Sequence, residues 1–316
     1  MNFIQQVYKG DNKVWMFLLT AFLISGIFIA NLIYFVYLLY TGENIDFIGL
    51  QNSLMELIPS KNFWLAVNLL PFAFLLGLLF LLVKHLHQRS ILSLSTSRAR
   101  MDWGRVAFSF SVICIFTLVT FAIGYAADSS NIVVQFNPIN FIILFVISIL
   151  LFPLQIGLEE YFFRGYLMQH IGAFSKNRWM PLIITSILFG VLHGANPEVT
   201  EMGLIVMIFY IGTGLLLGIM TLMDEGLELA LGFHLGNNLL AALLITSDWS
   251  ALQTDAIFRY TGEETSGSIA EIVLPVFVVY PIILLILSKK YKWKNWKEKL
   301  TGTVVEPLED DYKILE

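Results

Sequence analysis

The chain has 316 residues, 57% of them hydrophobic and 14% charged, against about a quarter charged in an ordinary soluble domain. With a mean hydropathy of +0.74, this excludes a typical cytosolic globule and points to a multi-pass membrane protein. The net charge of -5 comes without a basic face that could track phosphates, so nucleic acid is set aside as a partner, and the single cysteine, Cys114, can make neither an intramolecular disulfide nor a Cys-ligated metal centre by itself.

Lipid offers no partner for an exposed backbone amide, so crossing ~30 Å of hydrocarbon takes roughly 20 apolar residues in a helix. Eight stretches qualify, at about 14 to 40, 63 to 83, 106 to 126, 140 to 163, 180 to 196, 202 to 222, 228 to 246 and 271 to 288. The expected fold is therefore all-α, a polytopic integral membrane protein with about eight transmembrane helices. The first stretch follows Lys9 and Lys13 like a signal peptide, but its apolar run far exceeds a signal h-region, so it is expected to stay. Gly212, Gly214 and Gly218 in the sixth stretch are spaced to let another helix approach closely.

Lys and Arg accumulate on the cytoplasmic side of membrane helices. With the N-terminus inside, 17 of the 19 basic residues fall on inner segments and only Lys61 and Arg259 fall outside. The outer loops then carry Glu43, Asp46, Asp128, Glu198, Glu201, Glu263 and Glu264. Both termini are expected in the cytoplasm, in a bacterial inner membrane. One inner connection lacks a basic residue, the Asp224, Glu225, Glu228 stretch between spans six and seven. The chain divides into a cytoplasmic N-terminus (1–13), helices one to three (14–139), helices four to seven (140–246), an outer loop with helix eight (247–288) and a final segment (289–316). That last segment interleaves lysines with Tyr291, Trp293 and Trp296 at the membrane edge and ends in a solvated acidic tail with Glu309, Asp310 and Asp311.

Ionisable groups inside hydrocarbon cost several kcal/mol and usually face a cavity, a partner or a substrate route. Span four ends in Glu159, Glu160 and Arg164, span five holds His193, and span seven holds His234, Asn237 and Asn238. His85, His87 and His170 sit in or near basic cytoplasmic segments. Residues four apart share a helix face, so Glu160 and Arg164 can pair while Glu159 turns elsewhere without a local cation. That suits Glu159 as a general base acting on water. The plainer reading is two glutamates solvating a helix end. His234 and Asn238 are also four apart, and together they can donate to the oxyanion formed when water attacks an amide carbonyl. A histidine satisfied by a neighbouring carbonyl is the bland alternative.

Three elements in order, EEYFFR at 159–164, F-x-x-x-H from Phe189 to His193, and H-x-x-x-N from His234 to Asn238, resemble the CPBP intramembrane proteases, the type II CAAX prenyl protease and bacteriocin-processing (Abi) family. The resemblance covers about 140 to 246, which it makes the catalytic core. It implies an eight-helix membrane endopeptidase in which Glu159 and His193 activate water, His234 and Asn238 form the oxyanion site, and Glu160 with Arg164 is the supporting pair. Family members are described both as metalloproteases and as glutamic proteases. The residues leave this open, since Glu159, His193 and His234 could also hold a zinc ion as a two-His, one-carboxylate set. The motifs of other intramembrane protease chemistries are missing: no H-E-x-x-H, no G-x-S-x-G and no G-x-G-D.

The expected partners are membrane lipid and a peptide or membrane-protein substrate, presented from the cytoplasmic side if the chain is bacterial. The oligomeric state is not set by the sequence. Two other classes compete: a proton- or ion-coupled transporter, for which no inverted repeat is visible, and a non-catalytic immunity or scaffold protein.

Overall fold

Helix starts in this chain are written in its polar residues. Ser60 accepts from Phe63 N at 3.2 Å and opens α2, Lys61–Leu81. Asp102 accepts from Gly104 N at 3.0 Å and opens α3, Trp103–Ala127. Asn137, followed by a proline at the first helical position, opens α4, Pro138–Glu160. Before them runs α1, Val14–Thr41. After α4 the helix passes through a π turn, Tyr161–Leu167, into α5, Met168–Ser175. Then follow α6, Trp179–Val191, the short α7, Pro197–Met202, α8, Val206–Asp224, and α9, Glu228–Leu243. The chain closes with α10, Ile269–Leu274, a π turn, Pro275–Val279, α11, Tyr280–Tyr291, and α12, Trp296–Thr301. This computed structural model describes residues 1–42, 60–262 and 269–308, with 49, 53, 54, 57 and 58. Glu43, Asp46, Glu263, Glu264 and the tail acids Glu309, Asp310 and Asp311 lie outside the described residues.

Each of the eight apolar stretches is helical over most of its length, and the protein is an all-α polytopic membrane protein. Among the described residues, five helical runs are long and apolar enough to cross a membrane: Lys61–Leu86, Trp103–Ala127, Pro138–Ser175, Val206–Asp224 and Ile272–Tyr291. Their outward faces are apolar and bare, with Phe74 at 73% and Leu150 at 62% exposure, which calls for lipid as the solvent. Two of the remaining stretches are shorter than a bilayer. These are the 13 residues of α6, which packs one face on α8 and leaves Trp179, Ile183 and Ile187 exposed, and the 16 of α9.

Two features differ from the sequence reading. A three-stranded sheet, in the order β1 (Ile132–Val134), β3 (Phe258–Tyr260), β2 (Ile245–Ser247), lies at one end of the bundle. Its three-residue strands are too short to leave an alternating pattern. The final segment also packs further than a solvated tail would: Val304 is 2% exposed, and its N–H donates to Lys176 O at 2.9 Å.

The opposite end is held by ions. Arg98 reaches Asp224 at 2.8 Å and Glu228 at 3.1 Å, and Arg105 also pairs with Asp224. Arg178 reaches Glu225 at 3.3 Å, beside a second partner, Lys299. The acids between spans six and seven, which have no basic residue in their own connection, are thus matched by four cations from three other segments. Those segments all meet at this one end.

Inside the bundle, α9 lies along α3, α8 along α6, and α2 along α4. A Cβ at Gly214 of α8 would stand 2.8 Å from the carbonyl oxygen of Ser186 on α6, closer than atoms pack. Gly214→Ala must therefore force these helices apart, at a cost of about 1–3 kcal/mol. A lower melting temperature in detergent is expected for it, and none for Gly77→Ala, whose Cβ would meet nothing within 4 Å.

Candidate functional site

The last turn of α4 and the π turn after it are the most buried stretch of the chain, with every residue from Gln155 to Glu160 buried. The sequence there is apolar enough to be drawn inward, so its few polar side chains must find partners inside. Arg164 and Glu160 are both 0% exposed, and Arg164 Nη1 donates to Glu160 Oε1 at 2.9 Å. Arg164 also donates from Nη2 to the carbonyl of Gly214 at 3.2 Å and lies with its Cζ 4.3 Å from the centre of the Phe189 ring. The same Glu160 Oε1 accepts from His234 Nδ1 at 2.8 Å. One carboxylate oxygen thus ties α9 to the end of α4.

Glu159 faces away from that pair. Its Oε1 accepts a hydrogen bond from Gln155, while its Oε2 is buried without a hydrogen-bond partner and lies 3.6 Å from His234 Nε2. Gln155 in turn accepts from Asn238 Nδ2 at 3.2 Å, and Asn238 accepts from Asn237 at the same distance. An amide nitrogen carries two hydrogens, so Asn238 keeps a second one to donate. The sequence reading passed over Gln155. Its signal was an amide four residues before Glu159 in an otherwise apolar run.

His193, expected within span five, stands just beyond it. Its helix ends at Val191, and the chain turns through bonds from His193 N to Gly190 O and from Gly194 N to Val191 O, both 2.9 Å. Pro197 explains the break, because the residue before a proline is driven out of the helical region and Asn196 is extended, with ψ 143°. His193 Nδ1 donates to Phe189 O at 2.7 Å, which leaves the lone pair of the neutral ring on Nε2. The ring stacks on Tyr210, with centres 4.6 Å apart, and Phe189 touches both imidazoles, 4.7 Å from His193 and 5.8 Å from His234.

Glu159, His193, His234, Asn237 and Asn238 line one cavity of about 930 Å³. Glu160 and Arg164 are outside its lining, behind Glu159 and Phe189. The cavity runs towards the sheet end, where Ser247, Trp249, Ser250 and Tyr260 line it, and no residue of the ion-paired end does. Glu198 of α7 lines it as well, and burial pushes its carboxyl above the ordinary value while the Ala251 N–H pulls the other way. Among the described residues, no three His, Cys, Asp or Glu side chains are grouped so that they could hold a metal ion. As they stand, Glu159, His193 and His234 do not fit one. The two histidines nearer the ion-paired end, His87 and His170, are also fully buried, with ring centres 5.2 Å apart, but in a separate cluster with Tyr166.

Residues 138–240 match a protein family described as type II CAAX prenyl endopeptidase Rce1-like. The chain is 28% identical over 255 residues to the uncharacterized protein YyaK of Bacillus subtilis (strain 168), covering 78% of this chain and 83% of that protein. No solved structure matches. All three motifs, at 159–164, 189–193 and 234–238, fall inside the segment that is similar to this family.

Proposed function

We propose that this protein hydrolyses a peptide bond inside the membrane with water activated by Glu159 and His193. The observation that carries the reading is the position of Glu159 Oε2, buried and unpartnered on the wall of a cavity it shares with both imidazoles. A water there gives one proton to Glu159 and is oriented by its other hydrogen on His193 Nε2. Its oxygen adds to the substrate carbonyl carbon as that carbonyl becomes an oxyanion. His234, tied to Glu160 at Nδ1, and the second N–H of Asn238 together form the oxyanion site. The carbon–nitrogen bond then breaks as Glu159 returns its proton to the leaving amine. Glu160 and Arg164 touch no substrate in this scheme; they position His234. No step is routed through a metal.

The substrate proposed is a peptide or membrane-associated protein that enters from the sheet end of the cavity. This replaces entry from the cytoplasmic side, since the ion-paired end contributes nothing to the cavity lining. The proposed location is a bacterial cell membrane with both termini and the ion-paired end in the cytoplasm. The distribution of Lys and Arg supports it. Alkaline phosphatase fused after Asp128 is expected to be active in a bacterial host and fused after Thr301 inactive; the reverse pattern would invert the topology.

In purified protein, Glu159→Gln should lower kcat by roughly 10²–10⁴-fold, and Asn238→Ala by roughly 10²–10³-fold. Both should leave the melting temperature within a few degrees. Cleavage unaffected by Glu159→Gln would end the hydrolase reading. Arg164→Met leaves Glu160 buried without its cation and should cost about 3–5 kcal/mol of stability, seen as a lowered melting temperature. Chelator treatment should leave activity in place. Activity lost to chelator and restored by zinc would instead assign Glu159, His193 and His234 to a metal.

A further inference from the structure

The sheet end of the cavity contains two polar groups that the hydrolytic scheme does not use. Glu198 Oε1 accepts from Ala251 N at 2.9 Å, but Oε2 is buried with no hydrogen-bond partner, and no ion pair among the described residues includes Glu198. Trp249 Nε1, two residues from Ala251, is likewise buried without an acceptor. Both side chains line the cavity. An unpaired buried carboxylate and an unpaired indole N–H are each costly, and each calls for a complementary group. The first wants a cation or N–H donor and the second wants an oxygen. A single peptide residue with a basic side chain offers both, an ammonium or guanidinium and its own carbonyl.

Local structure explains why these groups stand there. Pro197 starts α7 immediately after the break that carries His193, so Glu198 follows the His193 turn by five residues on the same wall. The loop after β2 then brings Trp249 and Ala251 over it. Tyr210 links the two regions, stacked on His193 and accepting a hydrogen bond from Asn196 at 3.0 Å. A peptide with a carbonyl at Glu159 and His193 therefore extends past Tyr210 towards Glu198.

We infer that Glu198 and Trp249 form a specificity subsite for a lysine or arginine side chain of the peptide substrate, at the sheet-end mouth of the cavity. The inference rests on the proposed protease reading for the peptide nature of the occupant. It does not need Glu159 to be the base, which allows the two to be tested apart.

The test uses full-length protein carrying Glu159→Gln, in nanodiscs of zwitterionic lipid to suppress attraction to the bilayer. Binding of acetyl-Phe-Leu-X-Leu-Phe-amide is measured with X as lysine, arginine, norleucine or glutamate. Lysine and arginine should bind about tenfold more tightly than norleucine, as a desolvated charge pair allows, and glutamate more weakly than norleucine. Adding Glu198→Gln keeps the acceptor for Ala251 N and removes the charge, and should erase the difference between lysine and norleucine. Trp249→Phe should weaken all four peptides alike by a few-fold. Equal binding of lysine and norleucine, a preference that survives Glu198→Gln, or no binding of any peptide would each overturn the subsite. A preference that behaves as stated, combined with no Glu159-dependent cleavage by the unmutated chain, would overturn the protease reading and leave the subsite standing.

Discussion

The structure turns on one carboxylate oxygen. Glu160 Oε1 takes hydrogen bonds from Arg164 and from His234, and both Glu160 and Arg164 are fully buried. Burying a guanidinium or a carboxylate alone costs several kcal/mol, so each of the three side chains is tolerable only because the others are present. That mutual requirement fixes the end of α4 against α9. It also constrains α8, because Arg164 satisfies another of its donors on the carbonyl of Gly214. The glycine has two consequences at once: it lets α8 come within backbone distance of α6, and it leaves a carbonyl within reach of Arg164.

Above that fixed base, Glu159 is supported by amides. Gln155 and Asn238 form a chain of neutral hydrogen bonds to its Oε1, which orients the carboxylate without neutralising it. The two adjacent glutamates therefore differ in kind. Glu160 is paired through Oε1 with Arg164 and His234 and sits outside the cavity, while Glu159 presents an unpartnered oxygen to it. A single helix position separates the paired carboxylate from the one facing the cavity, because adjacent helix positions diverge by about 100°.

Much of this was legible in the sequence. The apolar helices, five of them long enough to cross a membrane, followed from hydropathy, and Glu160 with Arg164 followed from helical spacing, since both signals are local. Other features depended on contacts distant in sequence. Asp224, Glu225 and Glu228 lacked a basic residue nearby because their cations come from residues 98, 105, 178 and 299. His193 read as part of a helix because the residues before it are apolar. Pro197, four residues on, sets the break, and a proline acts on the residue before it. Glu198 read as one more outer-loop acid, since burial under a loop that returns fifty residues later leaves no local mark. Arg164 counted as an inner-surface cation, yet it is the largest fully buried side chain in the bundle.

The break after Val191 is what gives the cavity its direction. Irregular backbone within a membrane protein survives only where protein or water satisfies it, and here the turn bonds of residues 190–196 meet part of that need. At the other end, the ion pairs of Arg98, Arg105 and Arg178 close the bundle around Asp224 and Glu225. Among the described residues, the cavity that holds Glu159 is lined from the sheet end and from α1 and α2, and not from the ion-paired end. Tyr210 and the Glu198 carboxylate line that cavity together with Glu159 and both imidazoles, so a group held at the sheet end and one held at Glu159 share one space.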